Sequence, residues 1–268
     1  MNIYNCSSED FKFNLSNEPV RMVSYSRMNH SSGCKILFFQ SEEEMTNCQL
    51  SEDNKDILGF VLPDENTMVF MQNKFPHINM EIGSPASFLD VDQIPFQNYE
   101  KIYDIACIVN KKSLDDYYQI ISKLTYLKWL ILCEDNVSYN FFGALNIKNL
   151  IVTRYTTDDQ QILSSKCFLS FPEYHKFPHK IIGYLLLENI PLIIIQNENF
   201  YDGHRNISYW DNIVVSATSI MTTRFLSHER IAWFLEMYNN GKNWLKPREY
   251  YKQFLGLKSI KILFEQAI

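Results

Sequence analysis

From about residue 100 onward the chain alternates short apolar runs with helix-sized amphipathic segments, and few folds accommodate that alternation. The runs at 103–109, 128–133, 149–153, 167–170, 191–195 and 212–215 lack a polar face, as strands buried on both sides do. Segments 114–124, 158–163, 180–187, 228–239 and 248–254 carry apolar residues at helical spacing. The pattern predicts an α/β fold, a doubly wound, Rossmann-like parallel sheet with helices on both faces. In such sheets ligands lie beyond the carboxyl ends of the strands. Chemistry is therefore expected in the loops after residues 109, 133, 153, 170 and 195.

The first third reads differently. Runs at 20–25, 35–39, 57–62 and 67–72 are β-prone, and Pro63-Asp64-Glu65-Asn66 between the last two predicts a hairpin turn. Ser41-Glu42-Glu43-Glu44-Met45 resembles a capped helix start. We expect a strand-rich or mixed N-terminal domain over residues 1–97, packed against a nucleotide-binding domain over 98–268. No Gly-, Pro- or Ser-rich linker separates them.

Composition excludes several classes. With 46% hydrophobic residues and only 8 Gly and 9 Pro the chain has a core and is not a low-complexity polymer. A net charge of −6 argues against binding a nucleic-acid backbone, though not against a small anion held by a few local cations. The apolar runs are strand-sized, well short of the ~20 residues of a membrane span. The six cysteines form no CxxC pair and read as reduced thiols; Cys107, Cys133 and Cys167 lie in apolar runs, where a catalytic role is the minor alternative. The N-terminus has no basic start and no apolar stretch of signal length. The expected location is the cytoplasm, including the periphery of the inner membrane face.

After the first strand of the α/β part comes Asn110-Lys111-Lys112-Ser113, two lysines where a strand feeds a helix, a ready place for an anion or for nothing but water. Neither GxGxxG nor GxxxxGK[ST] occurs, which argues against ordinary nicotinamide enzymes and P-loop NTPases. The stretch from Phe168 to Ile193 is the most informative. A strand ends in a polar loop, Pro178-His179-Lys180 opens a helix that runs through Tyr184 and Leu185, and Pro191-Leu192-Ile193 begins a buried strand.

This arrangement resembles the donor-binding C-terminal half of GT-B-fold glycosyltransferases, in particular the bacterial galactofuranosyl- and glucosyltransferases with a Pro-His-Lys run. The resemblance extends loosely from Lys101 to Phe254, including Tyr103-Asp104-Ile105, the run from Cys167, and the closing helices around Trp244. It implies transfer of a sugar from a nucleotide diphosphate, usually a UDP-sugar, to a glycan or lipid-linked acceptor in surface polysaccharide or glycoprotein synthesis. The nucleotide-sugar would be a substrate, with no cofactor and no metal. The donor would be held by Asn110, Lys111, Pro178, His179, Lys180, Tyr184 and Asp202, with Lys180 beside the diphosphate. A cation at a helix N-terminus stabilises the leaving group's charge as the glycosidic bond breaks.

Glu173 and His204 are the candidate catalytic residues. Glu173 lies shortly before the Pro-His-Lys run, and His204 in Tyr201-Asp202-Gly203-His204-Arg205, beyond the strand at 191–195. Each has a bland counterpart, an exposed loop residue without a role. His30 and His77 lie where an acceptor-side base would be sought, and as lone histidines read first as structural. Gly183 stands where many such enzymes place a ribose-binding glutamate, and Asn189 where many have glycine. The N-terminal domain is short for a complete acceptor half. Two other readings therefore stand beside the enzyme: a degraded, glycosyltransferase-like binding or partner subunit, and an unrelated doubly wound domain. A homo-oligomer or a partner subunit would complete the acceptor side.

Overall fold

The computed structural model describes residues 10–15, 18–30, 32–39, 42–50, 55–83, 89, 94, 96–156, 160–174, 181–196, 210 and 213–255. Two sheets result. The first contains β1 (Asp10–Leu15), β2 (Glu18–Ser24), β3 (Cys34–Phe38), β4 (Ile57–Leu62) and β5 (Asn79–Ile82), side by side in chain order. β1 runs antiparallel to β2, and the other neighbours are parallel. Helix α1 (Glu42–Asn47) links β3 to β4, and α2 (Glu65–Lys74) links β4 to β5. Met45 of α1 and Met71 of α2 pack on Leu37, Phe39, Phe60 and Leu62, so both crossovers cover one face.

The expected hairpin at 57–72 is a strand followed by a helix. The Asp64 side chain accepts the Thr67 N–H at 2.8 Å, and the Thr67 hydroxyl oxygen accepts the Asp64 N–H at 3.3 Å. That reciprocal capping satisfies donors at a helix start, and the tetrapeptide Pro63 to Asn66 provides it rather than a turn. Thr67 and Met71, four apart, are then the buried side chains of α2. The helix start read at residues 41–45 is present as α1.

The second sheet contains β6 (Tyr103–Val109), β7 (Trp129–Cys133), β8 (Leu150–Arg154), β9 (Ser165–Ser170), β10 (Leu192–Gln196) and β11 (Ser219–Thr223), all parallel, in the order β11-β10-β9-β6-β7-β8. Counted within this sheet, the order is the 3-2-1-4-5-6 arrangement of doubly wound folds, with its reversal between β6 and β9. Helices α3 (Leu114–Ile121) and α4 (Asn136–Ala144) pack on one face with α6 (Ser227–Asn239), where Tyr117, Phe142 and Phe234 meet Cys107, Ile131 and Leu169. On the other face α5 (Ile181–Leu187) and α7 (Pro247–Phe254) bring Leu185 and Tyr251 against Ala106, Leu130 and Ile194. Alternate residues of one strand thus serve two cores, which is why β6, β7 and β10 show no polar face.

Five of the six strands expected after residue 100 stand where the apolar runs place them. The sixth does not. Ile213 is helical, Val214 N–H donating to Trp210 O at 2.8 Å, residues 216–218 form a turn in which Thr218 N–H donates to Val215 O at 3.0 Å, and the strand is Ser219–Thr223. Helix α4, unread in the sequence, starts at Asp135, whose carboxylate accepts the Ser138 N–H at 2.8 Å. Helix α5 ends in a Schellman turn. Ile190 N–H donates to Leu185 O and Asn189 N–H to Leu186 O, with Asn189 at φ 57°. The glycine-like position noted in the sequence is a left-handed cap that Asn tolerates. Among the described residues no helix is long and apolar enough to cross a membrane.

Candidate functional site

Strand order locates the site. In the first sheet the strands follow one another without reversal, so no crevice opens between diverging crossovers. In the second, α3 leaves β6 on one face and α5 follows β9 on the other, leaving a crevice at the carboxyl ends of these two strands. Its described walls are residues 110–117 after β6, 134–138 after β7, 171–174 after β9 and 224–228 after β11.

The β6 wall is internally bonded. Asn110 Oδ1 accepts the N–H groups of Lys112 at 3.0 Å and Ser113 at 3.2 Å, and Asn110 Nδ2 donates to Glu134 Oε2 at 3.0 Å. Lys111 N–H donates to Asp135 Oδ2 at 2.6 Å. Burial would raise the Asp135 carboxyl, but the N–H groups of Ser138 and Lys111 outweigh it and hold the pKa below the ordinary value. The backbone donors of residues 111–113 are therefore engaged by side chains, and what this loop presents to a ligand is the exposed Lys111 and Lys112.

The β9 wall is where the structure adds most. After Ser170 the chain makes a 3-10 turn, Pro172–Tyr174. The Tyr174 hydroxyl donates to Asp116 Oδ2 in the first turn of α3, across the crevice. Arg224, the first residue after β11, reaches the same point. Its Nη2 donates to the Tyr174 hydroxyl at 3.0 Å, lies 3.0 Å from Asp116 Oδ2, and pairs with Glu173 Oε1. The guanidinium also lies 5.8 Å from the Phe171 ring centroid and 6.0 Å from that of Tyr174. Burial would lower the Arg224 pKa, but the Glu173 hydrogen bond and the charges of Glu173 and Asp116 raise it. Burial first, then the Asp116 carboxylate, push Tyr174 up to about 12, so the phenol stays protonated. Beneath, Tyr117 and Phe171 meet edge to face at 4.9 Å, and the Tyr117 hydroxyl donates to Leu169 O at 3.3 Å.

Of the residues singled out from the sequence, Asn110, Lys111 and Glu173 stand at these strand ends. Tyr184 lies in α5, 6% exposed, within the core that holds Leu185 and Leu186. Pro178, His179, Lys180, Asp202 and His204 lie outside the described residues. His30 and His77 are exposed. Burial raises the Cys133 thiol to about 12 and those of Cys107 and Cys167 well above the ordinary value, which keeps these three protonated. Among the described residues no group of three His, Cys, Asp or Glu side chains is placed to hold a metal ion. Asp116, Tyr174 and Arg224 were not legible as a group. The strand expected at 212–215 hid the fact that Arg224 directly follows a strand.

No family model and no curated protein sequence matches the chain. Solved structures do. The chain is similar to the apo form of the lipopolysaccharide outer core galactosyltransferase WaaB, with a TM-score of 0.50 and 9% identity over 92% of this chain and 74% of that one. It is also similar to the glycotransferase of kitacinnamycin (TM-score 0.45, 11% identity, 94% of this chain and 77% of that one). A third is SsfS6, a Streptomyces sp. SF2575 glycosyltransferase (TM-score 0.37, 9% identity, 91% and 68%). The first likeness shows that the two-sheet α/β fold of this chain is one adopted by a solved glycosyltransferase, the GT-B-type architecture expected from the sequence.

Proposed function

We propose that the protein transfers a glycosyl group from a nucleotide diphosphate sugar, UDP-linked, to a glycan or lipid-linked acceptor. The observation that carries this reading is the reversal between β6 and β9, because the loop that leaves β9 there runs through Glu173 and on to the Pro178-His179-Lys180 segment before α5. The fold shared with the galactosyltransferase WaaB supports it.

The described strand ends set a charge requirement. Asp116, Glu134, Asp135 and Glu173 face Lys111, Lys112 and Arg224, and Arg224 is committed to Asp116 and Glu173. A diphosphate accordingly needs cations from the rest of the β9–α5 loop, and His175, Lys176, His179 and Lys180 supply that character in sequence. In this reading Lys180 carries the leaving group's developing charge, helped by Lys111 and His179, with Asn110, Pro178, Tyr184 and Asp202 shaping the donor side. Glu173 and His204 are the groups offered to the reacting sugar and acceptor.

Thermal shift with UDP-glucose, UDP-galactose, GDP-mannose and a CMP-sugar tests the reading on the wild type and Lys180→Ala. The expected result is stabilisation by a UDP-sugar that the variant loses. No response to any nucleotide sugar refutes it. Stabilisation without donor hydrolysis or transfer identifies a binding subunit instead.

A further inference from the structure

We propose that Arg224 is a positioning residue of this site, which fixes the Pro172–Tyr174 turn and so holds the Glu173 carboxylate in place at the carboxyl ends of the strands. The inference rests on the functional reading above.

The geometry is specific. Arg224 directly follows β11, the outer strand, while its partners belong to the turn after β9 and to the first turn of α3 after β6. One guanidinium thus spans the end of β10 and closes three loops together. Arg, planar and always charged, can do this at several acceptors at once, where an ammonium acts as a point. Asp116 and Glu173 are two carboxylates brought to one nitrogen, Nη2, and without it two like charges would face each other across the crevice. The Tyr174 hydroxyl completes the set, accepting from Arg224 and donating to Asp116. Among the described residues the turn is also held by the Phe171 ring against Tyr117 and Tyr174 and by the Tyr174 N–H to Phe171 O bond. The network carries two acids for one base and is ill suited to bind phosphate itself, which separates its task from that of Lys180.

Arg224→Ala, Arg224→Lys and Asp116→Asn would be compared with the wild type, using UDP-glucose and UDP-galactose as probes. A misplaced reacting group lowers turnover by about 10- to 100-fold, and that loss in kcat is expected for Arg224→Ala, with donor affinity by calorimetry changed far less. Arg224→Lys should recover part of the loss and Asp116→Asn should show a smaller one. Hydrogen exchange at the Tyr174 amide, which donates to Phe171 O at 3.1 Å, should accelerate in Arg224→Ala while β6 and β10 stay protected. Unchanged kcat, or donor affinity lost in step with kcat, overturns the proposal, as does retained protection at Tyr174. Should no nucleotide sugar bind the wild type, the functional reading fails, and the exchange measurement alone decides whether Arg224 holds the turn.

Discussion

Glu188→Gln is the substitution whose outcome the structure defines most fully. Glu188 follows α5, is 4% exposed, and accepts the Gln97 N–H at 3.0 Å. The segment that bears Gln97 is held at two further points. Arg248 Nη2 donates to Ile94 O at 3.3 Å, its guanidinium lies 5.2 Å from the Phe96 ring, and Lys101 Nζ donates to Leu163 O at 2.9 Å. Burial lowers Lys101 to about 8, with Glu188 pulling the other way. Glutamine keeps the shape and an acceptor but not the charge. A hydrogen bond to a charged group stabilises by about 1.5–3 kcal/mol and a neutral one by about 0.5–1.5, so the variant should lose roughly 1–2 kcal/mol at pH 7. For a chain of this size that is a fall in Tm of roughly 2–8 °C.

The pH dependence separates the two contributions. Lys101 has a lowered pKa when folded, so between about 8 and its ordinary value the unfolded chain binds the additional proton and stability rises with pH. The Glu188 attraction exists only while Lys101 is protonated, below about 8. The deficit of Glu188→Gln should therefore be larger at pH 7 than at pH 9.5. Lys101 is partly exposed, so solvent screening keeps this difference to a fraction of a kcal/mol. Thermal denaturation at both pH values, with Lys101→Met and the double variant, measures it. An equal deficit at both pH values, or strict additivity of the two substitutions, would show that the pair is not coupled as argued.

Two further substitutions follow from local geometry. Asp64→Ala removes the acceptor of the Thr67 N–H at the start of α2 and should cost about 1 kcal/mol, read from denaturant midpoints; a neutral outcome would mean that packing alone holds that helix start. Gly143→Ala, in the last turn of α4 where an added Cβ meets nothing within 4 Å, should stabilise by about 0.5–1 kcal/mol, and a lowered Tm would contradict the helical geometry there.

What the sequence disclosed follows from where the side chains are buried. β6, β7 and β10 lie between two cores, so residues 105–109, 129–133 and 192–195 are apolar throughout and the runs at 103–109, 128–133 and 191–195 are unmistakable. β11 is an edge strand with Met221 exposed, and its Thr222 and Thr223 weaken the apolar signal; the more apolar 212–215 took its place. The 67–72 misreading has another cause. Thr, Val and Phe are β-prone, yet a capped helix needs only Thr67 and Met71 on its inner face, and the cap at Asp64 decided the matter. The positions of Asn110, Lys111 and Glu173 at strand ends could be read from the sequence because each follows a strand with a clear end. Asp116, Tyr174 and Arg224 are joined by pairings between elements far apart in the chain, which no local pattern records.

The placement of β6 also governs how the molecule is assembled. Its neighbours are β7, which follows after one helix, and β9, where Tyr103 lies opposite Ser165. Ile105, Ala106 and Cys107, all fully buried in the finished sheet, remain at an open edge until β9 has been synthesised and inserted. Closing so distant a pair carries the loop entropy of two intervening βα units, and it is the natural slow step. Until then a nascent chain displays an unpaired apolar strand, and lowered temperature or chaperone supply during expression should govern the yield of this protein more than its final stability does.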